Sequence, residues 1–227
     1  AEVSRALAEA SAQRQAAERE VRFLMRELAH RSKNQMTVIA AMAKQTARGA
    51  DNLESYIQAF EHRIHGLARS TDLLLTHGGA GVLLDELVES HVAPFAPPDK
   101  TRVSLSGPTV RVNAQAAQML GMAAHELATN AVKYGAFAGD AGSLSVRWRI
   151  VDDTLDLVWR ETVARGAAPS ERVGFGTTVL ESMVGRSLRA EVRRHHHDDG
   201  MEWHFVIPLD AIDPARVPAA ADEPAPE

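Results

Sequence analysis

The fold of this chain is decided by the stretch His125-Glu126-Leu127-Ala128-Thr129-Asn130-Ala131-Val132-Lys133-Tyr134-Gly135-Ala136-Phe137. Apolar residues recur here at the spacing of one helix face: Leu120, Ala124, Leu127 and Ala131. Glu126, Asn130 and Lys133 fall on a separate polar face of the same helix, and Gly135 ends it. An Asn oxygen suits Mg²⁺ and a Lys ammonium attracts phosphate oxygens, so this column suits a bound metal–phosphate. Taken alone, the column is equally well explained as an ordinary solvated helix face.

The composition limits the class of protein. The chain has 227 residues, of which 45% are hydrophobic, enough for one large or two small domains with a core. Its net charge of -5 argues against a nucleic-acid binder. The absence of cysteine excludes disulfides and thiol catalysis and fits a reducing compartment, so we expect a cytoplasmic location. No apolar run is long enough to predict a membrane span. Because the sequence starts without Met in a charged helical pattern, we expect a fragment of a longer protein.

The first part of the chain is predicted to be a helical hairpin. Residues 1–48 contain neither proline nor glycine. Apolar residues at alternating steps of four and three form a heptad seam, which Arg14 interrupts: Val3, Leu7, Ala10, Ala17, Val21, Leu24 and Leu28. A second apolar-periodic helix over about 52–76 follows Gly49 and is expected to run antiparallel to the first. Two such hairpins from two chains would form a four-helix bundle, which predicts a homodimer.

The second part, after the glycine-rich break at 77–81, is predicted to be an α+β layer sandwich. Helical patterns and strand patterns alternate there. The predicted helices are 82–92, 115–133 and 177–186. The predicted strands are 103–105 and 109–112, with hairpins formed by 144–151 and 155–159 and by 188–194 and 201–208. The last residues, 211–227, are rich in Pro, Ala and acid, which is typical of a disordered tail.

One histidine on the first helix has the surroundings of a nucleophile. His30 lies in His30-Arg31-Ser32-Lys33-Asn34, two residues past the seam position Leu28, and should be exposed. Glu27 at i−3 and Asn34 at i+4 are within its reach on the helix surface. A neutral imidazole nitrogen is a competent nucleophile, and a nearby carboxylate can fix its tautomer. A surface histidine without a function is the alternative.

Three further motifs could carry chemistry. The stretch Gly174-Phe175-Gly176-Thr177-Thr178 precedes a predicted helix, where glycines and free backbone N–H groups can hold an anion; a simple turn is the alternative. Trp159-Arg160-Glu161 ends a strand, and a carboxylate there can accept a hydrogen bond from an adenine amino group; a core Trp beside a solvated Glu is the alternative. We interpret His195-His196-His197-Asp198-Asp199 as a polar hairpin tip rather than a metal site.

Together these motifs resemble the HWE family of bacterial sensor histidine kinases. The family pattern begins with His-Arg-x-Lys-Asn, which is found here at 30–34. An asparagine box starting at His125 follows, then Trp159-x-Glu161, then the glycine box at 174–176. Residues 60–74 also look like the second helix of the family. The resemblance covers about 24–208, and four spaced motifs in order are more specific than any one of them.

The resemblance implies an ATP-binding sandwich of the histidine kinase, gyrase and MutL type behind a dimerisation and phosphotransfer hairpin. It implies the hairpin over 24–77 and the catalytic domain over 82–210, and the heptad seam predicts a coiled-coil helix over 1–23 before them. An upstream sensor domain and a response-regulator receiver domain as partner are also implied, with no nucleic acid.

The resemblance also implies roles for single residues. His30 would be the phosphoacceptor that attacks ATP, with Glu27 and Asn34 beside it. Asn130 would hold Mg²⁺, Glu126 would orient water, and Glu161 would recognise adenine. The other residues implied to line the nucleotide site are His125, Lys133, Tyr134, Trp159, Gly174, Phe175, Gly176 and Thr177.

One departure from the family pattern keeps a second hypothesis open. A glycine pair is expected after Trp-x-Glu, but the chain has Thr162-Val163-Ala164, which adds side chains beside the adenine pocket. The alternative is therefore a phosphotransfer or scaffold protein that does not bind ATP. A plain coiled-coil interaction protein would explain only residues 1–30.

Overall fold

The computed structural model describes residues 2–77, 80–163, 180 and 184–215. It consists of two compact units, Ala1–Arg48 and Gly49–Glu227. Among the described residues, no helix combines the length and the apolar character needed to cross a bilayer.

The first unit is one long helix, α1 (Glu2–Gly49), as the absence of proline predicts. Ion pairs between residues four positions apart stabilise this helix: Glu18 pairs with Arg14 at 3.0 Å and with Arg22 at 3.5 Å. The seam residues Val21 and Leu24 are more than half exposed on this chain. An apolar seam in this state is typical of a helix that packs against a partner.

The second unit begins with helix α2 (Leu53–His77). Asn52 and Ser55 cap it reciprocally: the Ser55 N–H donates to the Asn52 side chain at 2.8 Å, and the Asn52 N–H donates to the Ser55 hydroxyl at 3.2 Å. The elements after it follow in this order: β1 (Val82–Leu83), α3 (Leu84–Val92), β2 (Val103–Ser106), β3 (Arg111–Val112), α4 (Ala114–Tyr134), β4 (Ser143–Val151), β5 (Thr154–Thr162), α5 (Gly185–Leu188), β6 (Glu191–His197), β7 (Gly200–Pro208) and α6 (Leu209–Ile212).

The main sheet has five strands in the order β2-β4-β5-β7-β6. Strand β2 is parallel to β4 and the other neighbours are antiparallel. Alternate residues of the three central strands are buried on one face: Leu144, Val146, Trp148, Leu155, Leu157, Trp159, Glu161, Trp203, Phe205 and Ile207. Helices α3 and α4 are also largely buried, so the predicted α+β sandwich is confirmed.

Both predicted hairpins are present, and they begin and end close to the predicted residues. In the first, β4 and β5 pair from Ser143 opposite Thr162 to Val151 opposite Thr154. The connecting turn contains Asp152 at φ 50°, a conformation that Asp tolerates better than most residues. The second hairpin pairs β6 with β7.

Three predicted boundaries need correction, and a fourth predicted element lies mostly outside the described residues. Residues 82–83 are not helical but form β1, which pairs with β3. His195–His197 lie in strand β6, so the hairpin tip is Asp198–Asp199 instead. Residues 211–212 end helix α6 rather than starting a tail, because Ile212 is buried. Most of the helix predicted over 177–186 lies outside the described residues.

Candidate active site

Helix α4 is the element on which the candidate site is built. Its N-terminus is fixed by Asn113, whose side chain accepts a hydrogen bond from the Ala116 N–H at 2.9 Å and donates one to the Ala211 carbonyl at 3.0 Å. The apolar positions that predicted the helix are buried: Leu120, Ala124, Leu127 and Ala131. The helix is therefore anchored at its start and along its apolar face.

The polar column has free groups at its C-terminal end. Asn130 is half-buried, and Lys133 and Tyr134 are exposed. Within the described residues, neither the Asn130 carboxamide nor the Lys133 ammonium makes a hydrogen bond or ion pair. An amide oxygen suits Mg²⁺ and a free ammonium suits phosphate oxygens. Asn130 and Lys133 therefore fit a magnesium-bound phosphate group, which they would hold.

Glu126, at the other end of the column, is paired with an arginine of α2. Arg63 Nε lies 2.9 Å from Glu126 Oε1, and Arg63 Nη2 lies 3.1 Å from Glu126 Oε2. The Arg63 side chain is 6% exposed and that of Glu126 is 13% exposed. The hydrogen bond from Nη2 and the close charge contact at Nε together hold the carboxylate against α2.

Glu161 lies beside the C-terminus of α4 and is hydrogen-bonded through both oxygens. The Ala136 N–H donates to Oε2 at 3.1 Å, and the Trp159 indole N–H donates to Oε1 at 3.0 Å. Burial raises the pKa of Glu161, while these two hydrogen bonds oppose that change. Gly135 allows this approach, because a Cβ there would lie 1.9 Å from Glu161 Oε2. A carboxylate of the protein itself therefore approaches the backbone closely at Gly135.

His125 is not brought together with the polar column. Its buried ring packs against Phe95, with ring centroids 5.2 Å apart, and against His91 at 5.9 Å. Neither ring nitrogen makes a hydrogen bond of normal geometry within the described residues. Burial and the charges of His62, Arg69 and His65 lower the pKa of His125 to about 4, although the His62 backbone opposes the decrease.

His91, next to it, is fully buried and contacts α2. Its Nε2 lies 3.0 Å from the Ser70 hydroxyl. Burial, with the nearby charges of His125 and Arg69, lowers the pKa of His91 to about 3. The junction of α2, α3 and α4 is therefore a buried layer of neutral histidines.

The remaining predicted residues are only partly described. Gly174, Phe175, Gly176 and Thr177 lie outside the described residues. For Glu27, His30 and Asn34, the helical backbone of α1 is described but the side chains are not. The nucleophile and the glycine box therefore stay predictions.

Sequence reasoning missed Arg63, Ser70 and His91 as members of this region. A signal was present for Arg63. Arg63 follows Phe60 by three residues and precedes Leu67 by four, so it lies on the apolar face of α2. A charged residue in such a position needs a buried partner, and Glu126 provides it.

Comparison with known proteins gives a consistent family. Residues 27–109 match the family described as HWE histidine kinase. Over 201 residues the chain is 32% identical to a blue-light-activated histidine kinase of Brucella ovis, covering 87% of this chain and 41% of that protein. A protein of the same name from Rhizobium johnstonii is 33% identical over 187 residues, covering 82% of this chain and 53% of that protein. The chain thus spans about half the length of these relatives or less.

A solved structure supports the fold. The blue-light activated histidine kinase of Erythrobacter litoralis EL346 aligns with a TM-score of 0.54 at 15% identity, covering 78% of this chain and 59% of that one. The histidine kinase domain of the same protein gives a TM-score of 0.50 at 16% identity, covering 76% of this chain and 94% of that one. At this identity the similarity concerns the architecture.

Proposed function

We propose that this chain, which carries an HWE histidine kinase segment at residues 27–109, is an ATP-dependent protein-histidine kinase of a two-component system. The geometric observation that supports this most is the end of α4. There Asn130 and Lys133 present polar groups that no described residue uses. The relatives named histidine kinases, aligned over 87% of this chain, support the same activity.

The reaction we propose is phosphoryl transfer from ATP to His30. A nitrogen lone pair of His30 forms a bond to the γ-phosphorus while the bond from phosphorus to the β–γ bridging oxygen breaks. ADP leaves with that electron pair, and the imidazole loses its N–H proton. Such a transfer needs mainly positioning and charge neutralisation. Mg²⁺, when bound, would neutralise phosphate charge.

The protein's own residues would then supply orientation. Asn130 and Lys133 would hold the nucleotide phosphates at the end of α4, and Glu126 would orient water beside them. Glu161 would recognise adenine through the lone pairs that its two present hydrogen bonds leave free. His30 would pass its phosphoryl group to an aspartate of a response-regulator receiver domain. We also propose that two chains pair through the α1 seam.

Labelling with ATP tests this function directly. The protein is incubated with γ-labelled ATP and Mg²⁺, and we expect an acid-labile label that His30→Gln abolishes. Adding a receiver domain should then remove the label from the kinase. Absence of label, or label that survives His30→Gln, would reject the proposal.

A second candidate function is a phosphotransfer or scaffold protein that does not bind ATP. Two observations favour it. Both oxygens of Glu161 already accept hydrogen bonds from the protein, and Thr162-Val163-Ala164 follows it where the family pattern has a glycine pair. ATP binding measured by calorimetry decides between the two functions. Micromolar binding that Asn130→Asp removes would exclude the scaffold, and no binding would favour it.

A further inference from the structure

The contact between Arg63 and Glu126 joins α2 to the polar column of α4. Arg63 Nη2 donates a hydrogen bond to Glu126 Oε2 at 3.1 Å, Arg63 Nε lies 2.9 Å from Oε1, and both side chains are largely buried. Glu126 precedes Asn130 by one helical turn on the same face. The carboxylate one turn before Asn130 is therefore oriented by a residue from another helix.

We propose that Arg63 is a positioning residue for phosphoryl transfer, acting by holding the Glu126 carboxylate in one orientation. This inference rests on the proposed kinase function. The hydrogen bond to Oε2 and the close charge contact to Oε1 restrict the orientation of the Glu126 side chain as well as its location. Small errors in the placement of a catalytic group slow a reaction strongly, which gives this restriction a kinetic consequence.

The energetics of buried ion pairs also favour a positioning role. Removing two charges from water offsets most of their mutual attraction, so a buried pair adds little net stability compared with apolar side chains of the same volume. Stabilising the contact between α2 and α4 is therefore a poor explanation for this ion pair. Close packing at the same junction can do that, since a Cβ added at Gly66 would already lie 3.0–3.2 Å from the His125 side chain.

The same helix provides a matched control. Arg69 also lies on α2 and also anchors it, because its Nη1 donates to the Ser90 carbonyl of α3 at 3.0 Å. That contact attaches α2 to α3 without touching Glu126. Replacing Arg69 therefore removes a contact between α2 and α3 and leaves the Glu126 carboxylate with its partner.

The experiment compares the rate of labelling across ATP concentrations for wild type, Arg63→Met, Arg63→Lys and Arg69→Met. Methionine keeps much of the side-chain volume but leaves the Glu126 carboxylate without its cation, so the stability of each variant is measured as well. For Arg63→Met we expect kcat to fall by about tenfold or more, with the KM for ATP changed less than about twofold. Arg63→Lys keeps the charge and one contact, so it should recover part of the rate. Arg69→Met should label at nearly the wild-type rate.

A double variant distinguishes an effect of Arg63 through Glu126 from an effect on packing. If Arg63 acts through Glu126, Arg63→Met should slow the reaction no further in a Glu126→Gln background. Thermal unfolding of each variant confirms that the rates refer to folded protein. A variant that unfolds is replaced in the comparison by Arg63→Lys, which must then lie between wild type and Glu126→Gln.

Several outcomes would overturn the inference. Labelling of Arg63→Met at the wild-type rate would do so, and faster labelling would indicate an inhibitory contact instead. Equal slowing by Arg69→Met would indicate a purely structural role. In each case the wild type is labelled, so the kinase proposal stands. An unlabelled wild type would reject the kinase proposal and this inference together.

Discussion

Glu161 packs so closely against Gly135 that any residue with a Cβ at position 135 would clash with it. A Cβ at position 135 would lie 1.9 Å from Glu161 Oε2 and 3.0 Å from the Ala131 Cα. The carboxylate would have to move away, and its hydrogen bond with the Ala136 N–H would be lost. We therefore expect Gly135→Ala to lower the free energy of unfolding by about 1–3 kcal/mol, measured by urea denaturation.

The loop after α4 contains a suitable control for this substitution. Gly139 has open space around the position of a Cβ, and its φ is outside the left-handed region. Gly139→Ala should therefore change the free energy of unfolding by less than about 0.5 kcal/mol. If the two variants were equally stable, the contact between Gly135 and Glu161 would have no energetic importance.

The buried histidines predict a pH dependence of stability. The folded protein keeps His125 and His91 neutral down to about pH 4 and about pH 3, whereas the unfolded chain protonates them below about pH 6.5. Between pH 6.5 and about 4 the unfolded state binds more protons. The free energy of unfolding should therefore fall as the pH decreases through this window, by about 1.4 kcal/mol per pH unit for each histidine.

A variant isolates the contribution of one histidine. His125→Phe removes one titrating group, and its ring fits a site already lined by Phe95. Its stability should fall less steeply with acid than that of wild type, by up to about 1.4 kcal/mol per pH unit. Urea denaturation at pH 4.5, 5.5 and 6.5 measures this. His195→Gln, which removes an exposed histidine, is the control. Equal slopes for His125→Phe and wild type would contradict the prediction.

At the scale of elements, α4 and α2 approach each other at a glycine. A Cβ on Gly121 would lie 2.1 Å from the Ser70 hydroxyl and 2.6 Å from His91 Nε2. Gly121→Ala gains helix propensity of about 1 kcal/mol. We nevertheless expect a net loss of about 1–3 kcal/mol in the free energy of unfolding, because the added methyl overpacks the junction.

A double-mutant cycle tests the cause of that loss. Ser70→Ala alone should cost only the hydrogen bond with His91, about 1 kcal/mol. In combination with Gly121→Ala it also relieves the shorter of the two contacts. The double variant should therefore be more stable than the sum of the single effects predicts. Strict additivity of the two effects would show that Gly121→Ala acts elsewhere.

The sequence predicts these elements unequally, and the reason is physical. In helix α4 and in the hairpin of β4 and β5 the apolar residues recur with a clear period, because one face of each element is apolar and buried. Strands β1 and β3 have only two residues each, which is too short for a period, and Val82 and Leu83 were predicted as helix. Tertiary pairing determines such strands.

The candidate site is predictable to a similar, limited degree. The spacing of Glu126, Asn130 and Lys133 places them in one column without knowledge of the fold. The partner of Glu126 could not be predicted, because Arg63 is 63 residues away and a charged helix residue is usually solvated. The two hydrogen bonds of Glu161 depend on how the end of α4 meets β5, which no local pattern contains.

At the scale of the whole molecule, the α1 seam predicts association of two chains. Leu24 and Leu28 are 57% and 65% exposed on the single chain, and a second α1 helix would cover them. Light scattering at micromolar concentration should give twice the chain mass. Leu24→Glu should reduce it to one chain mass, because a charge in the seam must be desolvated. Phe23 is 61% exposed but lies off the seam, so Phe23→Glu should remain a dimer. One chain mass for wild type, or equal dissociation of both variants, would show that the seam has another partner.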